Sequence, residues 1–196
     1  MQKEGLKSVD ELQSYAIRQM DQYLQSKGRK LIGWDEILQG GLTEGATVMS
    51  WRGEDGGIKA ANAGHDVIMT PGSHLYFDSY QTDPRTQPEA IGGYLTLDKV
   101  YSYDPIPAAI QGDKAKHILG AQANIWTEYV PTTEHLEYMV FPRALALAEV
   151  NWTNKDGKSW TDFRRRLQSH YKLLQDLNVN YYRPSFNVAY TATYNA

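Results

Sequence analysis

The sequence predicts an α/β chain in which short parallel strands alternate with helices, the arrangement that curls into a barrel. Three observations predict it. A capped helical pattern opens the chain before any strand. Four short apolar segments follow, each cut off by turn residues or polar residues. The longest of them, Ile118 to Trp126, lacks the apolar–polar alternation of a half-exposed strand and fits a strand covered on both faces, as parallel sheets require.

The opening helix is marked by Ser8 followed by Glu11, a capping box. Leu12, Tyr15, Ala16, Met20, Tyr23 and Leu24 make one apolar stripe, and Gly28 is placed to end it. Lys30 to Trp34 reads as a strand that stops at Asp35-Glu36, and Gly40, Gly41 and Gly45 mark the turns beyond. Ala46 to Trp51 is a second strand, followed by Arg52-Gly53 and a helix from Asp55 to Ala63 closed by Gly64. Asp66 to Thr70 is a third, cut by Pro71-Gly72. Pro84, Pro88, Pro105, Pro107 and Gly92-Gly93 mark residues 79–116 as surface loop with at most short helix, a length usually kept for function. The strand from Ile118 is the fourth. Leu136, Met139, Val140, Ala144, Leu147 and Ala148 then have helical spacing up to Trp152, with Thr132 or Thr133 as the cap and Pro142 bending the helix. A last helix starts at Ser159 with Asp162 three residues on and runs through Phe163, Leu167, Leu174 and Leu177. The tail from Val179 to Ala196 has tyrosines but no period.

Composition removes several function classes. The chain has 196 residues, 41% hydrophobic and 22% charged, which suits one ordinary folded core. A net charge of -3 with no Arg/Lys stripe disfavours nucleic acid as a partner. No run reaches the roughly 18–20 apolar residues of a membrane helix, and the first residues lack the apolar centre of a signal peptide. With no cysteine there is no disulfide, which leaves the compartment open. The excess of Tyr (14) and Trp (5) over Phe (4) supplies flat apolar rings that also hydrogen-bond, which suits recognition of a sugar, although taken by itself aromatic core filling explains the excess better.

Three of the four strand segments end in tryptophan: Trp34, Trp51 and Trp126. The other is followed within a few residues by Tyr76 and Asp78, and Glu128 lies two residues past Trp126. In a barrel of alternating strands and helices the active site lies at the carboxyl ends of the strands, so these residues are expected at one mouth. Any single Trp can be a plug between a strand end and a helix. Three in equivalent positions, with two carboxylates, favour a pocket with apolar walls and a few directed polar groups.

Gly33-Trp34-Asp35-Glu36, Ser50-Trp51-Arg52-Gly53, Tyr76-Phe77-Asp78, Trp126-Thr127-Glu128-Tyr129 and Phe141-Pro142-Arg143-Ala144 with Ala148-Glu149 resemble, in order and spacing, the second half of the catalytic barrel of family 20 glycoside hydrolases, the β-N-acetylhexosaminidases. The resemblance covers roughly residues 8–152. It implies a parallel (β/α) TIM-barrel-type fold of which only about strands five to eight are present, in residues 1–178, with the tail 179–196 unassigned. It implies removal of terminal β-linked N-acetylglucosamine or N-acetylgalactosamine from an N-acetylhexosamine-containing glycan, and a secreted, periplasmic or lysosomal location. Trp34, Trp51 and Trp126 would enclose the N-acetyl group. Tyr76, the catalytic residue of the set, would donate a hydrogen bond to the acetamido oxygen, and Asp78 and Glu128 would accept from ring hydroxyls. Family 20 enzymes use that acetamido oxygen as the nucleophile, with retention of configuration and no cofactor or metal.

The family's Asp-Glu pair, in a His-x-Gly-Gly-Asp-Glu run, does not occur in this sequence. Asp35-Glu36 is no substitute, because by resemblance it belongs to the fifth-strand motif and neighbours on an extended segment point opposite ways. Ile91 stands near where some relatives place another Trp in the aglycone site, which leaves leaving-group preference open. Four parallel strands also leave two unpaired edges, so the isolated chain is expected to be inactive and to need either a missing amino-terminal barrel half or a second copy of itself. Two alternatives stay open at this stage. One is a non-catalytic N-acetylhexosamine-binding module. The other is a metal-dependent hydrolase using His65, His74 or His117, none of which stands at a recognised ligand spacing.

Overall fold

A computed structural model describes residues 1–184; Tyr190 and Tyr194 of the tail lie outside the described residues. Helix α1 (Val9–Ser26) begins where the capping box places it: the Ser8 hydroxyl accepts from Glu11 N–H at 3.1 Å, and Glu11 reaches back to Lys7 N–H at 2.7 Å. It ends at Gly28 in the left-handed region, with Arg29 N–H returning to Leu24 C=O. The face turned inward is not the apolar stripe. Ser14 and Asp21 are buried and Ile17 packs on the core, Ser14 Oγ donating to Gln39 C=O at 2.8 Å, while Leu12, Met20 and Tyr23 are exposed. The backbone at Gly40, with φ +74° and Asp10 C=O 2.3 Å from where a Cβ would stand, is what brings α1 this close.

Strands β1 (Ile32–Trp34), β2 (Thr47–Ser50), β3 (Val67–Met69) and β6 (Ile118–Ala121) form one parallel sheet in the order β1-β2-β3-β6. Registers run Gly33–Val48, Val48–Val67 and Val67–Ile118, with an irregularity at Val67/Ile68. Helix α2 (Asp55–Asn62) crosses between β2 and β3 and lies against both. Glycine permits this: a Cβ at Gly57 would stand 2.6 Å from Met69 Sδ and 3.1 Å from Val67 Cγ1. Parallel pairing with helical crossovers is the arrangement the alternating pattern called for.

The fourth strand differs from expectation in two ways. Regular pairing stops at Ala121, five residues before Trp126, although Gln122 N–H still donates to Met69 C=O and Asn124 pairs singly with Tyr76. Nor is it covered on both faces. It is an edge strand, with Leu119 60% and Trp126 45% exposed. A run of apolar residues fixes that a strand wants cover; it does not say whether the cover is present.

Residues 79–116 also depart from the surface loop expected of them. They hold α4 (Leu97–Ser102) and two short parallel strands, β4 (Ser79–Tyr80) and β5 (Gly92–Tyr94), after the single helical turn α3 (Gly72–Leu75). Leu95, Leu97, Val100 and Tyr101 are buried in the main core with Val48, Met69, Leu75 and Phe77. The prolines mark turns between these pieces rather than an open excursion. After β6, the expected long helix is two: α5 (Thr133–Val140), capped by Thr132, and α6 (Arg143–Trp152), with Pro142 at the break in a cis bond to Phe141. Helix α7 (Trp160–Asp176) closes the layer. Phe163 stacks on Tyr101 at 4.7 Å, and Arg166 forks onto Glu149 of α6 with two contacts of 2.6 Å.

Arg143, at the first position of α6, is wholly buried. Its guanidinium donates to the carbonyls of Met139, Ser79, Leu95 and Phe77 at 2.5–3.2 Å and lies 4.9 Å from the Phe77 ring centre. Burial pushes its pKa down and the neighbouring Asp78 carboxylate pulls it back up, so it stays a cation at neutral pH. One side chain thus ties the start of α6 to the segment after α3 and to the end of β5. Replacing it with an apolar chain of similar length, Arg143→Met, strips the donor from all those carbonyls together. The expected result is a loss of roughly 3 kcal/mol or more in a urea melt with unchanged slope; an unshifted midpoint would show that the guanidinium pins nothing.

Candidate active site

Strand ends build the site. Trp34 is the last residue of β1, Trp51 follows the last residue of β2, Tyr76 follows α3 at the end of β3, and Trp126 lies past β6. Adjacent strands are spaced by about 4.8 Å, so the outer two of a flat four-stranded sheet would stand about 14 Å apart. Yet the rings of Trp34 and Trp126, which belong to those outer strands, come to 6.1 Å between centres with planes at 45°. The sheet curls, and indoles from its two edges lean across the same opening. Trp51 and Tyr76, from the two inner strands, stack at 6.1 Å with planes 29° apart.

The polar members differ in environment. Burial pushes the Tyr76 phenol up, a bond from the Trp126 side chain opposes this, and Asp78, Asp35 and Glu36 add to the rise. The hydroxyl is therefore held protonated and available as a donor. Asp78 is 4% exposed, and its Oδ1 has no hydrogen-bond partner among the described residues. Burial raises its pKa and Glu128 adds to this, while the bond to its own backbone and the charge of Arg143 act against it. Glu128 itself is exposed beside Trp126.

The sequence reading gave no role to the pair Asp35-Glu36 or to Arg52 beyond their place in motifs. The structure joins them to Trp51. Asp35, 2% exposed, accepts from the backbone N–H groups of Trp51 and Arg52, each at 3.1 Å, and from Arg52 Nε at 2.5 Å. Glu36 accepts the Trp51 indole N–H, with oxygens at 3.0 and 3.2 Å. A Trp-Asp-Glu run after one strand and a Trp-Arg run after the next was the available signal. Arg143 could have been singled out as the one cation in an otherwise apolar helical window. The histidines are engaged separately. His74 packs on Tyr103 at 5.1 Å, His117 faces Asp66, and His65 contacts Ala46 C=O. Among the described residues no group of three or more His, Asp or Glu side chains could hold a metal ion.

The raised pKa of Asp78 fixes the sign of a stability effect. A carboxyl whose folded pKa lies above its unfolded value stabilises the fold at low pH and loses that contribution as pH rises through the folded value. Ionised Asp78 therefore weakens the fold at neutral pH, and Asp78→Asn is expected to raise the melting temperature by a few degrees at pH 7. That advantage should fade as pH falls toward the ordinary carboxylate range near 4. Thermal melts of both chains across this window check it, and equal melting temperatures at pH 7 would contradict it.

Comparisons with known proteins bear on the family and the fold. The family model described as glycosyl hydrolase family 20, catalytic domain, matches residues 1–155. A β-hexosaminidase of Porphyromonas gingivalis is 55% identical over 185 residues, covering 94% of this chain and 24% of that protein. A β-hexosaminidase of Vibrio furnissii is 34% identical over 151 residues, covering 76% of this chain and 25% of that protein. Among solved structures, the GH20 exo-β-N-acetylglucosaminidase of Vibrio harveyi in complex with N-acetylglucosamine superposes with a TM-score of 0.84 at 33% identity. It covers 94% of this chain and 29% of the other. The β-N-acetylhexosaminidase of Streptomyces coelicolor gives 0.77 at 26% identity, over 89% of this chain and 36% of the other. The chain thus spans about a quarter of the length of these curated relatives. The parallel sheet with its outer helices is the TIM-barrel-type arrangement of that family's catalytic domain. By a matched catalytic-domain region and a relative more than half identical, this chain belongs to glycosyl hydrolase family 20.

Proposed function

We propose that this chain supplies the amide-binding wall of a β-N-acetylhexosaminidase, which removes terminal β-linked N-acetylglucosamine or N-acetylgalactosamine from glycans. The observation that carries the reading is the meeting of Trp34 with Trp126 over the opening that Trp51 and Tyr76 share. Three indole faces and a phenol suit a flat, neutral acetamido group. Tyr76 donates to the acetamido oxygen, and its raised pKa keeps the proton in place for that bond. Asp78 and Glu128 accept from sugar hydroxyls, which would give Asp78 Oδ1 the partner that no group among the described residues provides.

Held this way, the acetamido oxygen attacks the anomeric carbon from within the substrate. An oxazolinium ion forms as the glycosidic bond breaks, and water opens it with overall retention. The wall supplies alignment. Well-oriented intramolecular attack is worth roughly 7–11 kcal/mol of barrier, and only if the reacting atoms are already in line. Protonation of the leaving group falls to an acid outside this chain's wall, and no residue here is assigned to it.

We further infer that residues 1–178 are the second half of the barrel and that both flanks seek a partner. On the β1 side Leu12, Met20, Tyr23 and Ile32 are exposed; on the β6 side Leu119 and Trp152 are, the latter 90%. A groove of about 630 Å³ lined by Ile68, Leu119, Ala123, Leu147 and Trp152 runs along the second flank. Apolar exposure on both lateral edges fits a sheet awaiting strands on each side, supplied by an amino-terminal barrel half or by a second copy.

Two measurements test the reading. In a tryptophan-fluorescence titration, N-acetylglucosamine is expected to perturb the signal where glucose does not, and Tyr76→Phe should weaken it about tenfold; equal responses to both sugars would end the amide-wall reading. The chain alone is expected not to cleave a chromogenic N-acetylglucosaminide. Mixed with the amino-terminal catalytic segment of the Porphyromonas gingivalis relative, it should do so. Binding that persists with no cleavage in the mixture would favour a non-catalytic glycan-binding module.

A further inference from the structure

Two adjacent carboxylates in a glycosidase invite assignment as its acid pair, and the geometry of Asp35 and Glu36 gives them other work. They sit in the 3-10 turn Asp35–Leu38 directly after β1 and diverge from it. Asp35 is committed to backbone: its Oδ2 takes the N–H groups of Trp51 and Arg52, and its Oδ1 takes Arg52 Nε. Glu36 reaches the far end of the same tryptophan and takes the indole N–H between its two oxygens. Neighbouring carboxylates on one strand end therefore hold Trp51 at two points, its amide and its ring nitrogen. An indole fixed at both ends has no rotamer left to explore. Tyr76 lies stacked on that indole, so its place depends on where the indole is held.

A Trp that only fills space also finds a partner for its N–H, but a backbone carbonyl or water suffices for that. Here the acceptor is a carboxylate, which gives a charge-assisted bond of more than ordinary strength. Its side chain is 38% exposed, so a glutamate facing water is diverted to orient a ring. The Arg52 guanidinium stands 4.0 Å away, bonded to Asp35.

We propose that Glu36 is a positioning residue, which sets the orientation of the Trp51 indole and, through the stacked ring, of Tyr76. This deepens and rests on the amide-wall reading given above. Its consequence is that one strand end aims the pocket residue of the next, so the wall is assembled by cross-links between strand ends rather than by each strand alone.

The test uses the full chain, uniformly labelled with nitrogen-15, with the Trp51 indole N–H resonance assigned by its disappearance in Trp51→Phe. In Glu36→Ala that resonance is expected to move upfield toward the position of a water-exposed indole, while the other indole signals and the backbone spectrum stay in place. Glu36→Gln keeps an acceptor oxygen and should hold the resonance near its original position. In parallel titrations, N-acetylglucosamine should bind Glu36→Ala about tenfold more weakly and Glu36→Gln within about threefold of the parent. An unmoved Trp51 resonance in Glu36→Ala would overturn the proposal, as would unchanged sugar affinity alongside a moved resonance. A parent chain that binds no N-acetylglucosamine would instead remove the amide-wall reading. The indole resonance would then decide the role of Glu36 by itself.

Discussion

A single buried guanidinium holds the active end of this structure in shape. Among the described residues Arg143 has no carboxylate in its hydrogen-bond shell; its donors go to carbonyl oxygens on both sides of Asp78, at Phe77 and Ser79, and to Leu95 and Met139. Carbonyl dipoles are a weaker answer to a buried charge than an ion pair, and they work here because several converge. The arrangement does two things together. It gives an irregular segment, which has no ladder of its own, a place for its backbone acceptors. It also puts a positive charge beneath Asp78, in a setting where burial and Glu128 both press that carboxyl toward its neutral form. The loop bearing Tyr76 and Asp78 is thus ordered from below, by a residue that never reaches the pocket.

Much of this architecture was legible in the sequence, for identifiable reasons. Strand segments at 30–34, 46–51 and 66–70 announce themselves by short β-branched runs ended by Gly, Pro or charge, and the chain folds them into one parallel sheet. Caps at Ser8, Thr132 and Ser159 are visible because their chemistry is local. Family membership follows from separated motifs whose order agrees. What stayed hidden depends on tertiary context. The inward face of α1 carries the buried polar residues Ser14 and Asp21, and Ser14 bonds to carbonyls 25 and 27 positions away, so the apolar stripe pointed to the wrong side. Leu95, Val100 and Tyr101 are core residues within a stretch whose prolines read as loop.

The site shows the same division. Trp34, Trp51, Tyr76 and Trp126 could be listed from the sequence because each lies at or a few residues past the carboxyl end of a strand, a position with a fixed geometric meaning in this kind of fold. What holds them could not be read in that way. Hydrogen bonds from Trp51 to residues fifteen and sixteen positions earlier, and from Arg143 to carbonyls up to 66 positions away, leave no periodicity and no spacing rule. The chemistry-bearing side chains of a pocket are an aspect of local pattern, while their support is a property of the assembled chain.

The contact between Trp34 and Trp126 joins the first and last strands of the sheet, and on the proposed function this would make recognition and closure one equilibrium. Trp126 stands on the outer edge, so its posture depends on whatever pairs with β6. A partner strand that steadies this edge also steadies the indole, and the opening is then ready-made for an occupant. By linkage the influence runs equally in reverse: an occupant that draws the two indoles together raises the affinity of the edge for its partner by the same factor. A ligand of this pocket would therefore act as an assembly factor for the barrel, with the strength of its effect set by how far the two outer strands relax apart when the opening is empty.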